Sequence, residues 1–272
     1  MKKMIDTVEM KTIQLDMLKK FDEYCRKNGI VYYLAYGTLI GAIRHKGYIP
    51  WDDDIDLMIP RKDYDKLLKL YNKNRTDAEL KVVDCTTEKG YYLPYAKLIN
   101  QKTVLKENVQ SDYELGVNID LFPVDDLSDN YEEAIAIIKK CYWYNLKLQI
   151  KTITWSDNRS IIKNIVLMLG KLALSTQSIS KILKSYDRFC RKNKSGKDTK
   201  YVGVLTGLNT TSKGNVFERK WFNETLSCEF EGCDFPAPVG YDKLLRNFYG
   251  DYMQLPPKDK QVTHHSFEAW YK

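Results

Sequence analysis

The stretch Trp51-Asp52-Asp53-Asp54-Ile55-Asp56-Leu57-Met58-Ile59-Pro60 decides how this chain reads. Ile55, Leu57 and Ile59 alternate with other residues, so Asp54 to Ile59 is predicted to be a strand that Pro60 ends. Side chains two apart on a strand share a face. Asp54 and Asp56 therefore project together, with Asp52 alongside, while the aliphatic residues enter the core. Two carboxylates about 4 Å apart repel by about 4 kcal/mol at an effective dielectric of about 20. A chain that keeps such a pair needs positive charge between them, and a divalent metal supplies it. A calcium-binding helix-loop-helix is excluded, because it requires glycine where this chain has Leu57 and glutamate where it has Asp63. For Asp52 and Asp53 a solvated acidic loop is an equal reading.

Upstream, Ile5 to Asn28 carries apolar residues at helical spacing and Gly29 follows as a stop. Ile30 to Ala35 is a β-branched and aromatic run, hence a strand, and Gly37-Thr38 reads as a tight turn directly after it. A glycine there lets backbone amides approach a phosphate closely, and the Thr38 hydroxyl adds a donor. Leu39 to His45 is a short helix, and Lys46 to Pro50 is a loop that delivers the chain to the acids. Arg44, His45 and Lys46 form a basic group suited to phosphate oxygens, with a solvated basic loop as the equal alternative.

Downstream, Arg61 to Asn72 is helical. Leu80 to Asp84, Tyr91 to Ile99, Lys102 to Lys106 and Val117 to Val124 are strands. Asp120 is an isolated acid in the last, otherwise apolar run. If that strand neighbours the acidic one, three carboxylates meet. From Asp129 the pattern turns helical, over Tyr131 to Ile150, Ser160 to Leu174 and Ile179 to Lys192. A mixed tail follows, with a strand at Leu226 to Phe230 and a helix at Tyr241 to Tyr249. The reading is an α/β core over residues 1–128, a helical region over 129–200 and a C-terminal segment, 201–272, packing back on the core.

The chain has 272 residues, 43% hydrophobic and 29% charged, with net charge +7. A mildly basic protein with an acidic cluster fits phosphate chemistry or an anionic surface, and the charge is too dispersed to favour nucleic acid. The start shows no secretory pattern and no apolar run suits a bilayer span, so the expected location is cytoplasmic. Six scattered cysteines lack any CxxC pair and read as reduced structural thiols. A zinc site from Cys228, Cys233, His264 and His265 matches no common spacing. The segment Ser160 to Leu174 is too apolar for an ordinary surface helix. Burial is the expected explanation; the alternative is an interfacial helix with Lys163 and Lys171 toward lipid headgroups and Trp143 and Trp155 as anchors.

The order strand, glycine corner, short helix, acidic strand and later acid resembles the nucleotidyltransferase fold of the polymerase β type, with Thr38 where serine is usual. The motif Tyr36-Gly37-Thr38-Leu39-Ile40-Gly41-Ala42-Ile43-Arg44-His45, then Gly47-Tyr48-Ile49-Pro50-Trp51-Asp52-Asp53-Asp54-Ile55-Asp56, resembles the LicD family more closely. The tail is similar too, at Tyr241-Asp242, Tyr249-Gly250-Asp251-Tyr252, Pro256-Pro257 and His264-His265. The resemblance touches both ends of the chain and skips the helical middle.

That resemblance implies transfer of phosphocholine from CDP-choline to a sugar hydroxyl of a cell-surface glycopolymer precursor of the teichoic acid kind, releasing CMP. It implies two Mg²⁺ ions, with Mn²⁺ as a substitute, held by Asp54 and Asp56 and less securely by Asp52 and Asp120. Asp120 serves either as ligand or as acceptor of the hydroxyl proton. Gly37, Thr38, Arg44, His45, Lys46, Tyr48 and Trp51 become substrate-binding candidates. A quaternary ammonium is held by aromatic faces, for which Tyr48, Trp51, Tyr91, Tyr92, Tyr95 and Trp270 are nearest the motifs. A lipid-linked acceptor would make peripheral membrane contact useful. Transfer of another activated alditol or alcohol phosphate, nucleotidyl transfer from a nucleoside triphosphate, and a non-catalytic nucleotide-binding role are the rival readings.

Overall fold

Helix α1 (Thr7–Asn28) starts where the Asp6 carboxylate accepts the Glu9 amide at 2.8 Å, and ends where Gly29 turns left-handed at φ 57°. Its inner face, including Met10, Met17, Leu18 and Phe21, is fully buried in the main core. These details come from a computed structural model that describes residues 2–75, 77–107, 111, 113–155, 159–192, 198–206, 215–263 and 267–272.

The core is a seven-stranded mixed sheet. It contains β1 (Tyr33–Leu34), β2 (Asp56–Pro60), β3 (Leu80–Val83), β4 (Ala96–Asn100) and β6 (Asn118–Asp126), in the order β1-β2-β6-β4-β3. Strand β6 is central and divides its pairing. Its first half lies antiparallel to β4, and its last residues lie antiparallel to β7 (Tyr201–Val204), which carries β8 (Val216–Glu218) beyond it. Among the described residues only β2 and β6 run parallel, with Asp56 opposite Asp120 and Leu57 opposite Leu121. Helix α3 (Arg61–Asn74) follows β2 directly and packs on β2, β3 and β6. At its first residue the buried Arg61 guanidinium grips Asp125 of β6 in a fork, at 2.6 and 2.9 Å. Asp125 thereby ties α3 to the sheet at the end of β6 away from Asp120.

Two elements leave the main sheet. Strand β5 (Thr103–Glu107) pairs with β11 (Phe267–Tyr271) at the end of the chain. Strands β9 (Thr225–Phe230) and β10 (Cys233–Pro238) form a separate hairpin, and Pro236 and Pro238 are tolerated because β10 pairs on one side only. The predicted strand from Tyr91 shrinks to β4, since residues 84–95 are spent on a loop opened by Asp84, whose carboxylate accepts from Thr87.

Helices α4 (Tyr131–Thr152) and α6 (Ile179–Lys192) pack together and enclose a second apolar cluster with Leu127, Leu205 and Val216. Helix α5 (Ile161–Ala173) overturns the expectation of burial. Ile162 is 75% exposed, Leu172 70% and Val166 63%, and Asn164 is its one fully buried side chain. Periodicity shows that a helix has an apolar face, not that anything covers it.

Candidate active site

The chain enters the site through Tyr36, a non-glycine residue at φ 45°. Its ring is held edge-on by Phe122 and Phe248, at 5.4 and 5.0 Å between centroids. The sharp corner therefore falls on Tyr36. Gly37 and Thr38, predicted as a tight turn, lie inside α2 (Tyr36–Ile40), which runs into a π-helical turn, Gly41–His45. Gly37 keeps its importance for another reason: a Cβ there would collide with the Asp52 carboxylate. The buried Thr38 hydroxyl accepts the Asp56 backbone amide at 2.9 Å, so it fixes the start of the acidic strand. Ala35 donates to the Asp56 carbonyl at 2.9 Å from the other side.

The ladder of β2 begins at Asp56, not at Asp54, because the register with β6 starts there and the preceding residues turn with Asp52 donating to the Ile49 carbonyl. Asp52, Asp53 and Asp54 consequently gather in the approach to the strand, each with a carboxylate oxygen within 4.8 Å of the other two. No other triplet of metal-binding side chains is that close among the described residues. Asp53 is only 3% exposed, so the solvated-loop reading fails for it. Asp56 and Asp120 stand side by side across the parallel pair. Burial first, then the carboxylates of Asp54, Asp120 and Asp52, push the Asp56 carboxyl well above the usual range, and Lys97 opposes them. The donor set is hard carboxylate oxygen throughout, which matches the preference of magnesium.

Lys97 is the residue that sequence reasoning missed. It sits on β4 opposite Asp120, is 5% exposed, and its ammonium donates to Asp120 and, at 2.8 Å, to Asn118. A single lysine between Ala96 and Leu98 in an apolar run was the available signal, since a buried lysine demands a partner. Tyr249, on α7 (Tyr241–Tyr249), was also missed as a site residue. Its phenol is pushed upward by burial and then by the charges of Asp56, Asp52 and Asp54, while 47% of its surface stays exposed.

The basic group spreads apart. Arg44 donates to the backbone carbonyl of Tyr252, and burial lowers its guanidinium. His45 meets Trp51 edge-on at 6.3 Å, and its imidazole is lowered by burial and by Arg44. Lys46 is exposed and left-handed, at φ 62°, closing the π-helical turn. The hairpin tip of β9 and β10 clamps the loop that follows: Glu231 donates its amide to the Lys46 carbonyl, and its carboxylate accepts from the Tyr48 amide at 3.0 Å.

Among the aromatic candidates, Tyr48 packs on Phe230 at 4.9 Å with its hydroxyl on Lys11 and Gln14. Tyr95 packs on Phe122 at 4.4 Å, and Tyr91 lies between Tyr92 and Tyr113. Trp270 already has Lys2 over its ring, on β11 away from the central strands. Trp51, next to Asp52 in the chain, is partly buried against the main core. Tyr91 and Tyr92 also line a cleft of about 990 Å³ with Lys89, Lys151, Lys171 and Lys184. His264 and His265 lie outside the described residues.

A family model described as LicD/FKTN/FKRP, nucleotidyltransferase domain, matches residues 29–153, which include Asp52, Asp53, Asp54, Asp56 and Asp120. The lipopolysaccharide cholinephosphotransferase LicD of Haemophilus influenzae is 30% identical over 270 residues, covering 96% of this chain and 97% of that protein. Shorter likenesses reach an uncharacterized protein of Rickettsia typhi, 45% identical over 20% of this chain and 18% of that protein, and mannosyltransferase regulator 4 of Saccharomyces cerevisiae, 34% identical over 21% of this chain and 5% of that protein. Identity sustained along both chains almost from end to end, on a sequence whose acids converge at one sheet position, shows that this chain belongs to the LicD family.

Proposed function

We propose that this LicD-family phosphotransferase moves phosphocholine from CDP-choline to a sugar hydroxyl of a surface glycopolymer precursor of the teichoic acid kind, releasing CMP. The observation that carries the reading is the crowding of Asp52, Asp53 and Asp54 beside the paired Asp56 and Asp120. Five carboxylates so placed are stable together only against cations.

Asp54 and Asp56, with Asp52 and Asp120 beside them, would hold magnesium; when bound, it neutralises the donor's diphosphate and stabilises charge developing at the attacked phosphorus. Gly37 leaves room for Asp52, and Thr38 fixes the height of Asp56. Lys97 holds Asp120 in place. In the reaction the acceptor oxygen forms a bond to the phosphorus next to choline. The bridging P–O bond breaks with its electron pair going to CMP, and the hydroxyl proton passes to a carboxylate, for which Asp120 is the candidate. Tyr249, exposed beside the acids, and the partly buried Trp51, adjoining Asp52, suit the trimethylammonium group.

Incubation with CDP-choline and Mg²⁺ in the absence of acceptor tests the reading. Slow release of CMP and phosphocholine is expected, abolished by Asp56→Asn. Pyrophosphate from ATP or CTP would mark a nucleotidyltransferase instead, and release from a CDP-alditol alone would mark a different transferred group.

A further inference from the structure

Helix α5 presents an apolar arc that none of the described residues covers. At about 100° per residue, Met168, Ile161, Leu172, Ile165, Leu169 and Ile162 follow one another round the helix, continued by Ala173 and Val166 over about 160° without a polar interruption. Each of the large residues in that arc is roughly half exposed or more, from 48% at Ile165 to 75% at Ile162. Lys163 and Lys171 lie about 60° beyond the two ends of the arc, on the side of the helix that carries Gly170 and Asn164. The opposite face lies against α4, where Gly170 approaches Ile150 so closely that a Cβ would press on it at 3.1 Å, and Asn164 bonds Arg159 in the connection before the helix. That packing leaves the apolar arc directed outward.

The surroundings are basic. Between Lys139 and Gln177 the sequence holds seven lysines and arginines against one acid, Asp157. Trp143 is 62% exposed and lies two turns from Ile150 on the same side of α4; Trp155, after α4, is 51% exposed. An exposed apolar arc, exposed indole rings in the same helical region and a surplus of positive charge are the complement of an anionic lipid surface. No helix among the described residues is long and apolar enough to cross a membrane, and thirteen residues span only about 20 Å, so α5 suits the plane of the interface.

We infer that α5 lies in the headgroup region of an anionic bilayer, its Ile162–Leu169–Leu172 arc toward the acyl chains and the basic surplus around it drawn to lipid phosphates. Lys171 also lines the 990 Å³ cleft, together with Tyr91. The inference goes beyond the donor assignment and stands whichever phosphate-linked group is transferred.

Flotation of the full chain with vesicles reads the docking without any turnover. Vesicles of phosphatidylcholine mixed with phosphatidylglycerol should carry the protein, vesicles of phosphatidylcholine alone should carry much less, and added salt should weaken binding. The combined variant Ile162→Ser, Leu169→Ser, Leu172→Ser should lose about a hundredfold or more in apparent partitioning. Its melting temperature and its acceptor-free CMP release should match wild type, which separates failed docking from failed folding or failed chemistry. No flotation with anionic vesicles at low salt, or flotation undiminished in the variant, overturns the inference. A concentration-dependent dimer abolished by the same variant, without vesicle binding, also overturns it and assigns the arc to a second copy.

Discussion

Lys97 of β4 and Asp120 of β6 face each other in register, and the buried ammonium of Lys97 donates to the Asp120 carboxylate. Four further carboxylates crowd the same end of the sheet. Lys97 is thus the protein's own counter-charge, fixed in place by Asn118. Lys97→Met should destabilise the metal-free protein by about 2–3 kcal/mol, below the usual cost of orphaning a deeply buried charge because Asp120 is partly solvated. Saturating Mg²⁺ should recover much of that loss, because a bound cation restores the missing charge and stabilises by mass action. Urea unfolding with EDTA and with Mg²⁺ reads both values; an equal loss in the two conditions would show that Lys97 does not balance the acid group.

Asp56 gives a prediction of opposite sign. Its folded-state carboxyl is raised above the unfolded value by burial and like charge. Its contribution to stability is therefore present at low pH and lost as pH rises through the raised value. Asp56→Asn removes that decline. In EDTA the variant should be at least as stable as wild type, by a margin that widens from pH 5 to pH 8, while turnover is abolished. Thermal melts across that range check it, and a variant less stable than wild type at pH 8 contradicts the crowding.

Gly37→Ala should separate chemistry from folding. Alanine suits a helix better than glycine, so stability should change by no more than about 1 kcal/mol. The added methyl must push the Asp52 carboxylate from its place. Displacement of a metal-side group by about 1 Å can cost about a hundredfold in rate. CMP release and urea unfolding on the same preparation give the two numbers.

Much of this arrangement was legible in the sequence because local signals agreed with the fold. Gly29 ends α1, and Pro60 divides β2 from α3. The isolated Asp120 sits on the strand paired with the acidic one. What was not legible depended on partners far away in sequence. The start of β2 was misplaced by two residues because β6, not the alternation of Ile55 and Leu57, sets where the ladder begins. The Gly37 corner was misassigned because Tyr36 takes the left-handed turn, which only the packing of Phe122 and Phe248 makes tenable. Lys102 to Lys106 reads as a core strand, and no local signal reveals that its partner is the C-terminus.

The Arg61–Asp125 fork offers a control outside the acid group. Burial works against the charge of Arg61, yet Asp125 overrides it and raises the guanidinium. Arg61→Met leaves Asp125 uncompensated and should cost about 3–5 kcal/mol, independent of Mg²⁺. The double variant Arg61→Met, Asp125→Leu should recover most of it. Urea unfolding of the three proteins measures the cycle, and a loss rescued by Mg²⁺ would mean that Asp125 communicates with the metal-binding acids.

The central claim is that the acids gathered around β2 and β6 take a divalent cation against the donor's diphosphate. Crystals grown with Mn²⁺ and CDP-choline test it through anomalous scattering. The account predicts density about 2.1 Å from carboxylate oxygens of Asp54 and Asp56, in contact with the diphosphate. Manganese and nucleotide bound elsewhere, with these carboxylates making no contact to either, would contradict it.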